Sequence, residues 1–250
     1  MATKYIIKNI TVISVDDEIG NVRNCDVLID DGAISAVGSG LTHSTDHTII
    51  DGTNAIVSPG FFDTHRHTWQ CQLKSVATDF ALSDYVLALR HINGASYIAH
   101  DAYIGNLCGA LESIDNGTTY LVDHSQSMNS SEHADAAVKG LLDSKIRGVF
   151  RYALYPNPAW EGSCMDKERE VKTPNWRLND AHRIRETYFK STEPEDILRF
   201  GFASSEPNAT QIDKLVSENE FSRSIGAAVI GAHISFRKRN PGNCIVRQHD

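Results

Sequence analysis

The stretch VSPGFFDTHRHTWQ, which runs from Val57 to Gln70, places an apolar run, a Pro-Gly break and two histidines close together. In an extended strand, residues two positions apart share a face, so Asp63, His65 and His67 are expected to project to one side. Two imidazoles on one face can bind one metal ion. Strand-end histidines with ordinary hydrogen bonds are the common alternative, so the pair alone does not decide between a metal site and a structural role.

The segments on either side of this stretch differ in character. Residues 5–57 hold short runs rich in β-branched residues, separated by turn sequences, which predict a small antiparallel β unit. After the Pro-Gly break, strands alternate with helical segments, which predicts an α/β fold built of βα units around a parallel sheet. The apolar run before His65 predicts the first of these strands, and the other four are predicted at 117–125, 147–155, 196–205 and 226–235.

A third candidate ligand follows the last predicted strand. The run AAVIGAHIS (227–235) places His233 at the end of that strand. Taken alone, His233 is better interpreted as a core histidine that bonds to backbone groups. Together with His65 and His67, a metal triad is the better interpretation, because βα barrels assemble their active sites at the C-terminal ends of their strands. Zinc accepts neutral imidazole, and a catalytic zinc keeps one coordination position for water.

Composition narrows the classes of partner. The 250-residue chain is 41% hydrophobic, enough for a substantial core, and its net charge of −8 comes without a basic cluster. Nucleic acid is therefore not expected as a partner. Five cysteines without a CxxC pair favour neither a disulfide framework nor a cysteine-based zinc site. The N-terminus is too interrupted for a signal peptide and no long apolar run follows, so we expect a cytoplasmic protein without a membrane partner.

The motif PGFFDTHRH (59–67) resembles the PGFxDxHxH signature of the amidohydrolase superfamily, and GTTYLVD (117–123) resembles the second barrel strand of that family. The resemblance covers residues 5–235 and implies a partial (β/α)8 TIM-type barrel of about five βα units, preceded by a small N-terminal β-sandwich unit. It also implies that His65, His67 and His233 bind one divalent metal, zinc or alternatively iron. The implied activity is hydrolysis of non-peptide carbon–nitrogen bonds in a small-molecule substrate.

The fourth barrel strand points to one branch of that family. Binuclear members carry a lysine at its end, whereas here the run RFGFASSEP ends in Ser204, Ser205 and Glu206. The resemblance is therefore closer to mononuclear members such as cytosine and guanine deaminases or s-triazine hydrolases. It implies that a metal-activated water deaminates a cyclic amidine or a nucleobase-like molecule.

Three further residues near the motif are candidate substrate contacts. Relatives resembling deaminases use a glutamine near the position of Gln70 to recognise an amide edge, although a surface glutamine is equally consistent with the sequence. His124 ends the second strand and could reach the same cavity, or could be an ordinary hydrogen-bonded histidine. Trp69 could line the pocket, but a single aromatic beside a metal motif more often serves packing.

The C-terminal part departs from the family pattern. A complete member has eight strands, a histidine on strand 6, an acid/base glutamate and an aspartate on strand 8, so the catalytic residues are left unassigned here. We expect a truncated form with little or no turnover, and a catalytically inactive fragment or a binding or scaffold remnant is the alternative function. The predicted domains are an N-terminal part of a composite β-sandwich (1–57), a partial barrel (58–235) and an atypical tail (236–250) whose His249 is not a ligand. Open sheet edges leave a homo-oligomer as an option.

Overall fold

A computed structural model describes residues 4–154, 156–159, 161–165, 167–172 and 175–234. The chain divides into two compact units, Met1–Gly60 and Phe61–Asp250. The predicted tail, including His249, lies outside the described residues. The domain boundaries predicted at 57/58 and 235/236 stay predictions.

The described strands and helices alternate through most of the second unit. The strands are β1 (Lys4–Ile13), β2 (Asn21–Asp30), β3 (Ala33–Gly38), β4 (Thr48–Asp51), β5 (Ile56–Val57), β6 (Phe61–Arg66), β7 (Thr118–Ser125), β8 (Arg147–Ala153), β9 (Leu198–Ala203) and β10 (Val229–Gly231). The α-helices are α1 (Leu82–Tyr85), α2 (Ala99–Asp115), α3 (Ser131–Ser144), α4 (Lys167–Lys172), α5 (Trp176–Tyr188) and α6 (Ile212–Ser224), with a 3-10 helix at Thr68–Leu73 and a π-helix at Val86–Gly94. Among these helices, none combines the length and the apolar character that crossing a bilayer requires.

The first unit is a mixed sheet, so the expectation of a purely antiparallel unit is wrong. Its strand order is β3-β2-β1-β4, and β5 also pairs with β1. The β1–β2 and β2–β3 pairs are antiparallel, whereas β4 and β5 run parallel to β1. The reason is the long connection after β3, which carries the chain back before β4 begins. A small core of Ile10, Val12, Cys25 and Val27 holds this sheet together.

The second unit confirms the prediction of a partial barrel. Its five strands form one parallel sheet in the order β10-β9-β8-β7-β6, curled as half of a barrel. The apolar run before His65 does not form one strand as predicted. Its first part, Ile56–Val57, belongs to the first sheet, and the parallel strand begins at Phe61. The break falls at Pro59-Gly60 because proline has no N–H for a strand ladder.

The main core lies on the helix side of this parallel sheet. Phe150 and Tyr152 of β8 and Phe200 and Phe202 of β9 are buried together with apolar residues of α3 and α5. These positions are two apart along each strand, so their side chains share one face. The residues between them, such as Arg151, are thereby directed to the opposite face, the interior of the half-barrel.

We predict that Ile184→Ala lowers the free energy of unfolding by about 2–5 kcal/mol, the usual cost of deleting a buried isoleucine side chain to alanine. Ile184 lies on α5 and is fully buried in the main core. The control is Ile212→Ala, because Ile212 begins α6 and is 68% exposed. Urea denaturation followed by circular dichroism measures both variants, and equal losses would contradict the assigned core.

Candidate metal centre

Four imidazoles meet at the C-terminal ends of the parallel strands. His65 lies on β6, His67 directly follows it, His124 lies on β7 and His233 follows β10. The ring centroids of every pair are 4.3 to 5.1 Å apart. One nitrogen from each of His65, His67 and His233 lies within 4.8 Å of the other two. The structure thus brings together the three residues predicted as ligands, although their role as ligands stays a prediction.

The strand alternation used to predict this convergence holds only in part. Strand β6 ends at Arg66, and its pairing with β7 is irregular between Asp63 and Arg66. His67 therefore lies outside the strand, at the start of the 3-10 helix. Asp63 accepts a hydrogen bond from the backbone N–H of His65 and lies 3.9 Å from the Arg66 guanidinium. Its carboxylate is thus engaged by Arg66, which the alternation had placed on the opposite face.

Burial favours the neutral form of His65, His67 and His124. It lowers the pKa of His67 to about 3, and it lowers the pKa of His124 well below the usual value. The pKa of His65 is also lowered, first by burial and then by the positive charge of Arg151. Neutral imidazole is the form that ligates a metal ion. Formation of imidazolium in these three rings therefore does not compete with a metal ion at neutral pH.

Hydrogen bonds orient the individual rings. Nη2 of Arg151 lies 2.8 Å from Nδ1 of both His65 and His124. Because a guanidinium only donates, both Nδ1 atoms are acceptors and each neutral ring carries its proton on Nε2. Nδ1 of His67 lies 3.0 Å from the carbonyl oxygen of His124. A carbonyl only accepts, so His67 carries its proton on Nδ1 and its Nε2 has a free lone pair.

A buried ion pair borders the cluster on its other side. Oε1 of Glu206, just beyond β9, lies 3.6 Å from Nδ1 of His233 and 3.5 Å from Nη1 of Arg90. The side chains of Glu206 and Arg90 are only 15% and 8% exposed. Contact with His233 lowers the pKa of Glu206, and the charge of Arg90 lowers it further. Glu206 is therefore a carboxylate at neutral pH.

The predicted substrate contacts have different surroundings. His124 lies inside the imidazole cluster. Gln70 and the hydroxyl of Tyr85 hydrogen bond to each other, with Nε2 at 2.7 Å and Oε1 at 3.1 Å from that hydroxyl. Trp69 is 1% exposed and packs edge-on against Tyr97. The packing alternative weighed for Trp69 matches this arrangement, and substrate contact by any of the three stays a prediction.

Sequence reasoning missed the two arginines of the site. Arg151 interrupts the apolar run of β8 and is only 6% exposed. A charged residue inside an otherwise apolar strand is itself a signal, because arginine is rarely buried without a partner. Arg90 lies on the π-helix, and π-helical turns occur often at functional sites. Arg90 is harder to recognise from the sequence, because the backbone hydrogen-bond pattern that makes this segment a π-helix is not visible there.

Comparison of the sequence with curated proteins finds relatives that are named as deaminases. No family model matches the chain. The chain is 31% identical over 185 residues to a 5'-deoxyadenosine deaminase from Methanosarcina acetivorans, which covers 73% of this chain and 41% of that protein. It is 31% identical over 134 residues to a 5-methylthioadenosine/S-adenosylhomocysteine deaminase from Thermococcus kodakarensis, which covers 54% of this chain and 30% of that protein.

Solved structures share the architecture at lower sequence identity. Guanine deaminase from C. acetobutylicum matches with a TM-score of 0.72 and 18% identity, over 92% of this chain and 52% of that one. Atrazine chlorohydrolase from Arthrobacter aurescens TC1, complexed with zinc, matches with a TM-score of 0.70 and 17% identity, over 91% of this chain and 52% of that one. The chain spans less than half the length of the two curated relatives named above. With those relatives and with this half-barrel, the chain belongs to the amidohydrolase superfamily.

Proposed function

We propose that this protein is a metal-dependent hydrolase of non-peptide carbon–nitrogen bonds, with zinc held by His65, His67 and His233. The observation that carries the proposal is the convergence of one nitrogen from each of these rings to within 4.8 Å. Three histidines around an open coordination position are a known arrangement of catalytic zinc. Zinc is favoured over iron because a structural neighbour was crystallised with zinc.

The donor set fits a divalent metal. His67 presents Nε2 because its Nδ1 proton points to the carbonyl oxygen of His124. Such a bond from the second ring nitrogen typically orients a ligating histidine. His65 differs, because Arg151 donates to its Nδ1 and its proton is on Nε2. For Nε2 to ligate as part of a neutral ring, the Arg151 contact would open and the proton would move from Nε2 to Nδ1.

The residues of the site have different roles in the proposed hydrolysis. Zinc, when bound, supplies Lewis acidity, which brings the pKa of a water molecule towards neutrality. His65, His67 and His233 bind it, and burial keeps the rings of His65 and His67 neutral. The buried Arg151 places a fixed positive charge beside His65 and His124, which suits a reaction that develops negative charge on a substrate ring.

The relatives favour an aminated purine as the substrate. The curated proteins similar to this chain are named as deaminases of 5'-deoxyadenosine and of 5-methylthioadenosine or S-adenosylhomocysteine. We extend this chemistry to the present protein as removal of the amino group from an adenosine derivative. A guanine deaminase among the structural neighbours makes other aminated rings reasonable competitors. The cytoplasmic location expected from the sequence is part of the same proposal.

We predict that the protein binds zinc. Loss of a residue that only supports a ligand typically weakens metal affinity about 10- to 100-fold, and we expect His67→Ala, which removes a ligand itself, to weaken zinc affinity by more than this. His67 supplies one of three converging nitrogens, so its loss leaves two. Competition with a chromogenic chelator measures the affinity. His100→Ala is the control, because His100 is exposed on α2 and lies outside the cluster. Equal affinity of the His67 variant and the control would argue against the metal site.

We predict that the zinc-loaded protein releases ammonia from 5'-deoxyadenosine or 5-methylthioadenosine, and that a chelator stops the release. Guanine and an aminated triazine test the competing substrates in the same coupled assay. The control is His67→Ala, which removes one of the three proposed ligands. The assay also decides between an enzyme and a binding remnant. Release no faster than that of the His67 variant on any substrate would overturn the proposed activity.

A further inference from the structure

A carboxylate and an imidazole face each other at the ends of β9 and β10. Oε1 of Glu206 is 3.6 Å from Nδ1 of His233, and it is also 3.5 Å from Nη1 of Arg90. Both partners of Glu206 place a nitrogen near the same oxygen. The π-helix that carries Arg90 thus fixes the carboxylate, and the carboxylate in turn faces one edge of the His233 ring.

We infer that Glu206 is a positioning residue, anchored by Arg90, which holds His233 with its proton on Nδ1 and its Nε2 lone pair towards the other imidazoles. This inference rests on the proposed metal site and deepens it. Carboxylates commonly play this part for ligating histidines, because they fix the tautomer and the orientation of the ring.

The direction of the neighbouring hydrogen bonds supports the same tautomer independently. Arg151 can only donate to Nδ1 of His65, so the proton of that neutral ring is on Nε2. Nε2 of His65 lies 3.0 Å from Nε2 of His233. His65 therefore donates and His233 accepts through Nε2, which leaves the proton of His233 on Nδ1, facing Glu206. The contact with His65 and the contact with Glu206 thus favour the same tautomer of His233, and loss of Glu206 removes one of these two contacts.

The surroundings of Glu206 fix the position of its carboxylate. The side chain is 15% exposed, and Oε1 lies near both the guanidinium of Arg90 and the ring of His233. The carboxylate is therefore held in place as an acceptor for the Nδ1 proton.

The first test is zinc affinity of two variants, measured by chelator competition. Glu206→Met removes the acceptor at similar volume, and we expect zinc affinity to fall about 10- to 100-fold. Glu206→Gln keeps a carbonyl oxygen for the Nδ1 proton, so we expect partial rescue. The matched control is Glu218→Met, because Glu218 is a carboxylate even more buried than Glu206 that accepts hydrogen bonds from Ser205, just beyond β9, and not from the imidazole cluster. Wild-type affinity in both Glu206 variants, or an equal loss in the Glu218 variant, would overturn the inference.

The second test does not depend on metal. Nitrogen-15 spectra of the His233 ring in the metal-free protein report which nitrogen carries the proton. We expect the Nδ1–H form in the wild type and in Glu218→Met, and a mixture of tautomers in Glu206→Met. If the wild type binds no zinc, the proposed metal site fails, and these spectra alone decide the positioning role. A His233 tautomer that is the same in the wild type and in Glu206→Met would refute it.

Discussion

The alternation of side chains along parallel strands is the constraint on which the site depends. Strands β8 and β9 bury Phe150, Tyr152, Phe200 and Phe202 against the helices. Since successive side chains point to opposite faces, the residue between the two aromatics of β8, Arg151, has to face the interior of the half-barrel. The apolar core on one side of the sheet thereby fixes which polar groups meet on the other.

The interior face is organised by a few charged groups around neutral rings. A buried guanidinium is costly unless its N–H groups find acceptors, and Arg151 finds two in the Nδ1 atoms of His65 and His124. Glu206 and Arg90 neutralise each other at the other border of the cluster. Because each of these contacts has a donor on one side only, together they determine which ring nitrogens carry protons. The orientation of the rings is thus an electrostatic result as much as a steric one.

Much of this arrangement was predictable, and the failures have identifiable causes. The strands after the Pro-Gly break were placed within a few residues of their observed bounds, because apolar runs and turn residues mark them directly. The direction of β4 and β5 was missed, since a strand sequence does not encode the partner beside which it lies. His67 lies in the cluster as predicted, but strand alternation does not place it there. The register with β7 is irregular at this point, and His67 begins a 3-10 helix beyond the end of the strand.

The sequence by itself determined the fold class and the motif that carries His65 and His67, and it made His233 a candidate ligand. These inferences were possible because residue order and the period of hydrophobic residues can be seen in the local sequence. Only the tertiary structure decided that Arg151 contacts two of the rings and that Glu206 pairs with Arg90, 116 positions earlier in the chain. Such contacts depend on the curl of the sheet and on the π-helix between β6 and α2. Nothing in the local sequence specifies them, because they join residues that approach one another only after the strands have paired.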